Sequence, residues 1–221
     1  MRTLGAWRVI VPAIVGIAVV GVIWEVGVRL GNVRAFILLP PSRIIDELSS
    51  EPGFYLRAAL VTGRHAVVGA AVALAVSLVI GAMLAASRLL ETAAQPLLVL
   101  ILVAPWVAYF TSLVAWLGAG DTPVYFLVAL VTVPAFTFVA VSGMRGADAH
   151  ARELLASVDA SKFEVLWRLR LPAAVPGLFA AGRYVTGLAL AAAYYGEGGN
   201  YDRAGLGAFG KEAAGQNNGP L

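Results

Sequence analysis

The chain has 221 residues, of which 60% are hydrophobic and only 13% charged, and its mean hydropathy is +0.82. Water-soluble domains carry about 25% charged residues, and a chain this short has too much surface for its volume to hide so much apolar area from water. The net charge of +3 resides mainly on basic residues between apolar runs, with no basic patch interleaved with aromatics, so no nucleic-acid partner is expected; the absence of cysteine excludes disulfides and thiolate metal sites.

Five apolar segments are long enough to cross a hydrocarbon core of about 30 Å, which needs about 20 helical residues. The first runs from Val9 to Leu30. It is longer than the apolar region of a signal peptide and no small-x-small cleavage site follows it, so it reads as a retained helix. Glu25 and Arg29, spaced i, i+4 near its end, are expected to pair with each other.

A polar stretch, Gly31 to Gly63, comes next. Within it, Ile44, Ile45 and Leu48 give the apolar face of a short surface helix started by Ser42. The second apolar segment, Ala66 to Ala86, is joined by a short turn around Ser87–Glu91 to the third, Ala94 to Leu117, which Pro105 divides. Gly118-Ala119-Gly120-Asp121 leads to the fourth, Pro123 to Ser142, with Pro134 inside it. Both prolines are expected to bend their helices. The fifth segment runs from Ala173 to Tyr195. Helix is required throughout, because backbone groups in lipid must be satisfied within their own segment and no period-2 barrel pattern is present.

The stretch joining segments four and five, Gly143 to Pro172, is too long for a plain connector. Residues Asp148 to Val158 form one helix with Leu154, Leu155 and Val158 on one face. Asp159-Ala160 breaks it. Ser161 and Glu164 then form a capping box that starts a second helix, with Phe163, Leu166 and Trp167 as its apolar stripe and Pro172 as its end. Two readings of this elbow are open on pattern alone: a pair of helices lying on lipid, or a docking element for a partner protein.

Basic residues suggest the orientation. With alternating sides, the N-terminus, the Ser87 turn and the elbow share Arg2, Arg8, Arg88, Arg145, Arg152, Lys162, Arg168 and Arg170, against Arg34, Arg43, Arg57, Arg203 and Lys211 opposite. The positive-inside rule therefore puts the N-terminus and the elbow in the cytoplasm.

The elbow resembles the cytoplasmic signature of the inner-membrane permeases of binding-protein-dependent ABC importers. Glu153-Leu154-Leu155 stands for that signature's Glu-Ala-Ala, Asp159 for its glycine after three intervening residues, and Leu169-Arg170-Leu171-Pro172 for its Ile-x-Leu-Pro ending. Leucines replace two alanines and aspartate replaces glycine, though aspartate tolerates a left-handed turn. Further elements look like the nitrate, sulfonate and taurine branch: Leu39-Pro40-Pro41-Ser42, Ser87-Arg88, Pro105 with Ala108, Trp116-Leu117-Gly118-Ala119-Gly120, Gly182-Arg183, and Glu197 with Gly205-Leu206-Gly207. His65 stands where the branch usually has arginine. The resemblance covers roughly residues 38 to 210. The family continues with another membrane helix after Gly-Leu-Gly, where this chain has a polar tail, Gly210 to Leu221, that cannot span.

The resemblance implies an all-α, polytopic membrane bundle like the type I ABC importer permeases, with about five transmembrane helices and the family's last helix missing. It implies an N-terminal transmembrane helix over residues 1–35, a periplasmic segment over 36–63, and a permease core over 64–221 that includes the coupling region 143–172. Glu153, Leu154, Leu155, Asp159, Ala160, Ser161, Phe163, Leu166 and Pro172 would couple to an ATPase subunit. Arg183, Glu197, Pro105 and Trp106 would border the translocation pathway. Arg183, about ten residues into the fifth segment, is either a structural arginine bonded to carbonyls or a positive group beside the path of an anionic substrate. Glu197 either pairs with a nearby charge or lines an outer gate.

No Walker A loop is present, and neither Lys162 nor Lys211 sits in one. ATP and Mg would therefore be bound by a separate ATP-binding subunit, with no cofactor on this chain. The other implied partners are a second permease chain, as a homodimer, a periplasmic or extracytoplasmic binding protein, and membrane lipid. The location would be the inner (cytoplasmic) membrane of a bacterium or archaeon. A secondary transporter or channel subunit is the alternative; it predicts internal inverted repeats, and none is evident.

Overall fold

The computed structural model describes residues 7–34, 37–200 and 205–216. Arg2 and Arg203, used in the orientation argument, and the tail from Asn217 lie outside the described residues. Every regular element described is helical: α1 Trp7–Leu30, α2 Pro41–Ser50, α3 Pro52–Ala86, α4 Arg88–Val103, α5 Trp106–Leu117, α6 Asp121–Arg145, α7 Ala149–Ser157, α8 Lys162–Val165, a π turn Leu166–Arg170, α9 Leu171–Gly199 and α10 Leu206–Gln216. The chain divides into two compact units at Leu56/Arg57.

In the first unit, α1 presents nearly all of its large apolar side chains outward, Ile14, Ile17 and Ile23 among them. A helix that is apolar all round and uncovered suits lipid. Its Glu25 and Arg29 pair as the spacing predicts. The start of α2 differs from expectation. Pro41 occupies its first turn, where a missing N–H costs nothing, and the Ser42 side chain caps nothing. Instead Glu25 accepts hydrogen bonds from the Ser42 amide (3.0 Å) and hydroxyl (2.8 Å).

The second unit is built around α6, the most buried helix, whose Leu127, Val128, Ala140 and Met144 are fully enclosed. Against it lies a row of small residues on α3: Gly69, Ala73, Ser77, Gly81 and Ala85. Their four-residue spacing keeps them on one ridge, which lets the two backbones approach. The Ser77 hydroxyl donates to the Val133 carbonyl across this contact (2.9 Å). On its other side α6 meets α9 closely: a Cβ on Gly143 would lie 2.6 Å from the Ala174 Cα.

The pairings fix helix directions. Leu84 and Arg145, at the C-terminal ends of α3 and α6, bond to each other (Arg145 Nη2 to Leu84 O, 3.0 Å), while His65 and Asp121, near the opposite ends, also bond. So α3 and α6 run parallel, and α9, with Ala174 at one end and Glu197 at the other, runs antiparallel to both. One end of this unit thus carries the Ser87 turn and the elbow; the other carries Asp121 and Glu197. Alternation of sides along the chain predicts the Ser87 turn and the elbow together, and they lie at one end.

The third apolar segment breaks at Pro105 as expected, and sharply. It is two helices, α4 and α5, bent by 94° at Ala104–Pro105. α4 starts at the elbow end, where Glu91 pairs with Arg145, and α5 packs Phe110 and Val114 against Val124 and Leu127 at the far end. The bent pair therefore carries the chain from one end to the other. Among the described residues four single helices are long and apolar enough to span, and this pair makes five. By contrast α6 continues through Pro134 without a break.

Two boundaries also move. α3 begins at Pro52, so the last third of the expected polar connector is helix. At the other end of the chain, Gly-Leu-Gly opens α10, an 11-residue helix. At 1.5 Å per residue it reaches about 16 Å, half the thickness of a hydrocarbon core.

Candidate functional site

The elbow between α6 and α9 takes the shape its sequence implies, with one correction. Asp148 caps α7 by accepting from the His150 and Ala151 amides (2.7 and 3.1 Å). The turn just after the helix contains Asp159, whose φ of 52° is the left-handed conformation glycine usually supplies. Ser161 and Glu164 form the expected capping box, each side chain accepting from the other residue's backbone amide. The correction concerns Pro172. The second helix does not stop there. It passes through a π turn, in which the Leu171 amide bonds to Leu166 O, and runs on into α9 as one rod, Lys162–Gly199. A π turn shifts the ladder by one residue, so the helix absorbs a proline that has no amide to give.

Side chains on the elbow fall into two sets. Leu154 (68% exposed), Val158, Phe163 (70%) and Trp167 face outward, and the Phe163 and Trp167 rings lie parallel at 6.4 Å. Leu155 is half-buried, and Leu166 packs on the core beside α6 and α9, so it roots the elbow in the bundle. Glu153 is exposed near His150; Asp159 and Pro172 are exposed and Ala160 half-buried.

At the far end lies a buried polar cluster that sequence reasoning found only in part. Glu197, 1% exposed, was expected to pair with a charge or line a gate. It pairs: His65 Nδ1 lies 2.7 Å from Oε1, and the other oxygen accepts from the Thr62 hydroxyl (2.8 Å) and the Gly207 amide (3.0 Å). His65 Nε2 reaches Asp121 Oδ1 at 3.0 Å, and Asp121 also pairs with Arg64. A ring facing a carboxylate at each nitrogen satisfies both as an imidazolium, which donates from both. Two carboxylates and two cations then balance. The cluster ties α3, α6, α9 and α10 at one point.

Its chemistry explains Gly-Leu-Gly. The first amides of a helix need acceptors and its N-terminus favours negative charge. Thr62 Oγ1 accepts from the Leu206 amide (2.9 Å) and Glu197 from Gly207, so α10 is capped by side chains from other helices. Gly205 has φ +96° and a Cβ there would lie 2.4 Å from the Glu197 carboxylate; at Gly207 a Cβ would collide with Tyr194 O. Thr62 and His65, i, i+3 on a mostly apolar helix, were the available signal, but their partners in the cluster lie 56 or more residues away from them in sequence and on other helices.

Of the pathway residues, Pro105 sits in the bend before α5, and Trp106 packs edge-on against Tyr195 (5.5 Å). Arg183 is exposed midway along α9, without a hydrogen bond or ion pair among the described residues. The structural reading, an arginine bonded to carbonyls of its own bundle, finds no support there. No cluster of His, Asp or Glu suited to a metal ion occurs among the described residues.

Comparison with known proteins bears on this architecture. The family described as "Binding-protein-dependent transport system inner membrane component" matches residues 77–198, over half of the chain, from the small-residue row of α3 to the end of α9. A probable ABC transporter permease protein of Haemophilus influenzae is 24% identical over 190 residues, 86% of this chain and 77% of that protein. The riboflavin transport system permease protein RibX of Chloroflexus aurantiacus is 34% identical over 174 residues, 77% of this chain and 63% of that protein. The matched family span takes in the elbow, the bent pair and the helix that carries Glu197, and the chain belongs to the family of binding-protein-dependent transport system inner membrane components.

Proposed function

We propose that this permease is the membrane-spanning subunit of an ATP-driven importer, forming the translocation pathway and taking its drive from a separate ATPase subunit that holds ATP and Mg. The observation that carries the reading is the elbow: apolar side chains left uncovered at its outer face, on helices fixed at both ends to α6 and α9. An exposed cluster of large apolar side chains on a rigid support marks a contact surface. Because α8, the π turn and α9 form one rod, a push on Phe163 is transmitted to the helix that carries Arg183 and Glu197. Glu153, Leu154, Leu155, Asp159, Ala160, Ser161 and Pro172 shape the handle.

On this reading the elbow faces the cytoplasm of a bacterial or archaeal cell, the N-terminus lies on the same side, and an extracytoplasmic binding protein delivers substrate. A second copy of the chain completes the pathway. An uncompensated arginine at mid-membrane is costly against lipid, which supports a watery path or a second chain beside Arg183. Such a path favours a small anionic or zwitterionic solute such as nitrate, a sulfonate or taurine. The 34% identity to a riboflavin permease favours a vitamin as a second reading of the substrate.

Reconstitution with the ATPase subunit tests the coupling role. Leu154→Ser with Phe163→Ser should leave assembly of the bundle intact and abolish substrate-stimulated ATP hydrolysis and uptake together. Wild-type stimulation in this variant would refute it, and uptake driven by an ion gradient without ATP would favour a secondary transporter.

A further inference from the structure

We propose that the groove between α3 and the rod Lys162–Gly199 binds one anionic phospholipid of the leaflet at the elbow end. Two cavities make this groove. One, of about 540 Å³, is walled by Ala82 and Ala86 of α3 and carries Lys162 and Arg170. The other, of about 450 Å³, is walled by Leu74 and Leu78 of the same helix and by Leu171, Val175 and Phe179 opposite. Leu74, Leu78, Ala82 and Ala86 follow one another at four-residue intervals, so the cavities lie end to end along one ridge of α3.

The groove is apolar in its depth and cationic at its mouth. Its deep part is lined by Leu, Val and Phe side chains, together with Phe136 and Trp167. At the mouth, Arg170 has its Nε buried with no hydrogen-bond partner, an arrangement that is costly unless a ligand supplies an acceptor. Lys162 has no ion pair among the described residues. Of the elbow's acids, Glu164 is engaged by Ser161 and Arg168, Asp148 by the His150 and Ala151 amides, and Glu153 lies beside His150, while Arg145 pairs with Glu91. Two cations therefore line the mouth, and among the described residues neither forms an ion pair with a carboxylate.

Dimensions agree with one lipid. Twelve residues of helix, from Leu74 to Ala86, rise about 18 Å. Half of a hydrocarbon core is about 15 Å, so a chain lying against Leu74 and Leu78 puts its phosphate level with Lys162 and Arg170. Guanidinium and ammonium groups bind phosphate by charge-assisted hydrogen bonds. A neutral apolar ligand would leave Arg170 unsatisfied, and a soluble anion would leave the apolar depth empty.

The intact assembly, purified from membranes in mild detergent, tests this by native mass spectrometry with phosphatidylglycerol and phosphatidylcholine of matched chains. Wild type should retain phosphatidylglycerol with a preference of roughly thirtyfold, since each basic residue near an anionic surface contributes about fivefold. Lys162→Gln with Arg170→Gln should bring the preference close to parity. Val175→Trp, which fills the depth and keeps both charges, should lower retention of both lipids. Phosphatidylglycerol with brominated chains should quench the fluorescence of wild type more than that of Trp167→Phe. Equal retention of the two lipids by wild type, or undiminished preference in the double glutamine variant, would overturn the proposal. So would an efficient disulfide between Ala82→Cys in two copies, which would show that a second chain occupies the groove.

Discussion

Truncating Glu197 is the most informative perturbation of the far end. Its carboxylate accepts from Thr62 Oγ1, His65 Nδ1 and the Gly207 amide within 3.0 Å, and the group is almost wholly buried. Glu197→Ala strands the His65 Nδ1 and the Gly207 amide, leaves the Thr62 hydroxyl only the Ala58 carbonyl (3.2 Å), and leaves His65 facing only Asp121. Removing one partner of a buried ion pair costs about 3–5 kcal/mol, a large share of a total stability of about 5–15 kcal/mol. Glu197→Gln keeps the shape and one acceptor oxygen but presents an amide to remaining donors, so its cost should be smaller, about 1.5–3 kcal/mol. Unfolding by increasing the SDS fraction in mixed micelles measures both. Amide exchange localises the effect, because α10 loses its cap and residues 206–210 should exchange faster in both variants. If Glu197→Ala unfolds at the wild-type SDS fraction and keeps those amides protected, the cluster does not hold the far end together.

Three further outcomes follow from the same geometry. His65→Arg should retain most of the stability lost in His65→Ala, because a guanidinium can also bridge Glu197 and Asp121; equal losses in the SDS titration would contradict the bridging role. Gly143→Val should push α6 from α9, since a Cβ there meets Ala174 Cα at 2.6 Å; a loss of about 1–3 kcal/mol in the same titration is expected for such overpacking. Ser161→Ala should remove one half of the capping box and cost the start of α8 about 1 kcal/mol, seen as faster exchange at residues 162–166 with no change at the far end.

Patterns confined to one segment were readable without coordinates. Apolar runs of spanning length, the Glu25–Arg29 pair, the left-handed Asp159 and the Ser161–Glu164 box all depend on residues within a few positions of one another, and lipid or the peptide backbone supplies the rest of the physics. The chemistry of the elbow was legible for the same reason.

What the tertiary structure decided involves partners remote in sequence. A proline marks a break but not its angle, so the 94° turn at Pro105 and the unbroken passage through Pro134 depend on what packs around each. Pro172 looked like a helix end because a proline removes one bond; the π turn that carries the helix past it is tied to the core by Leu166. Neither His65 nor Asp121 pointed to its partner, since a histidine on a mostly apolar helix and an aspartate at a helix start have ordinary local explanations. Burial brings them to Glu197, where an unpaired charge would be expensive and a neutral cluster is not. Local sequence chose the helices; the low dielectric between them chose which charges meet.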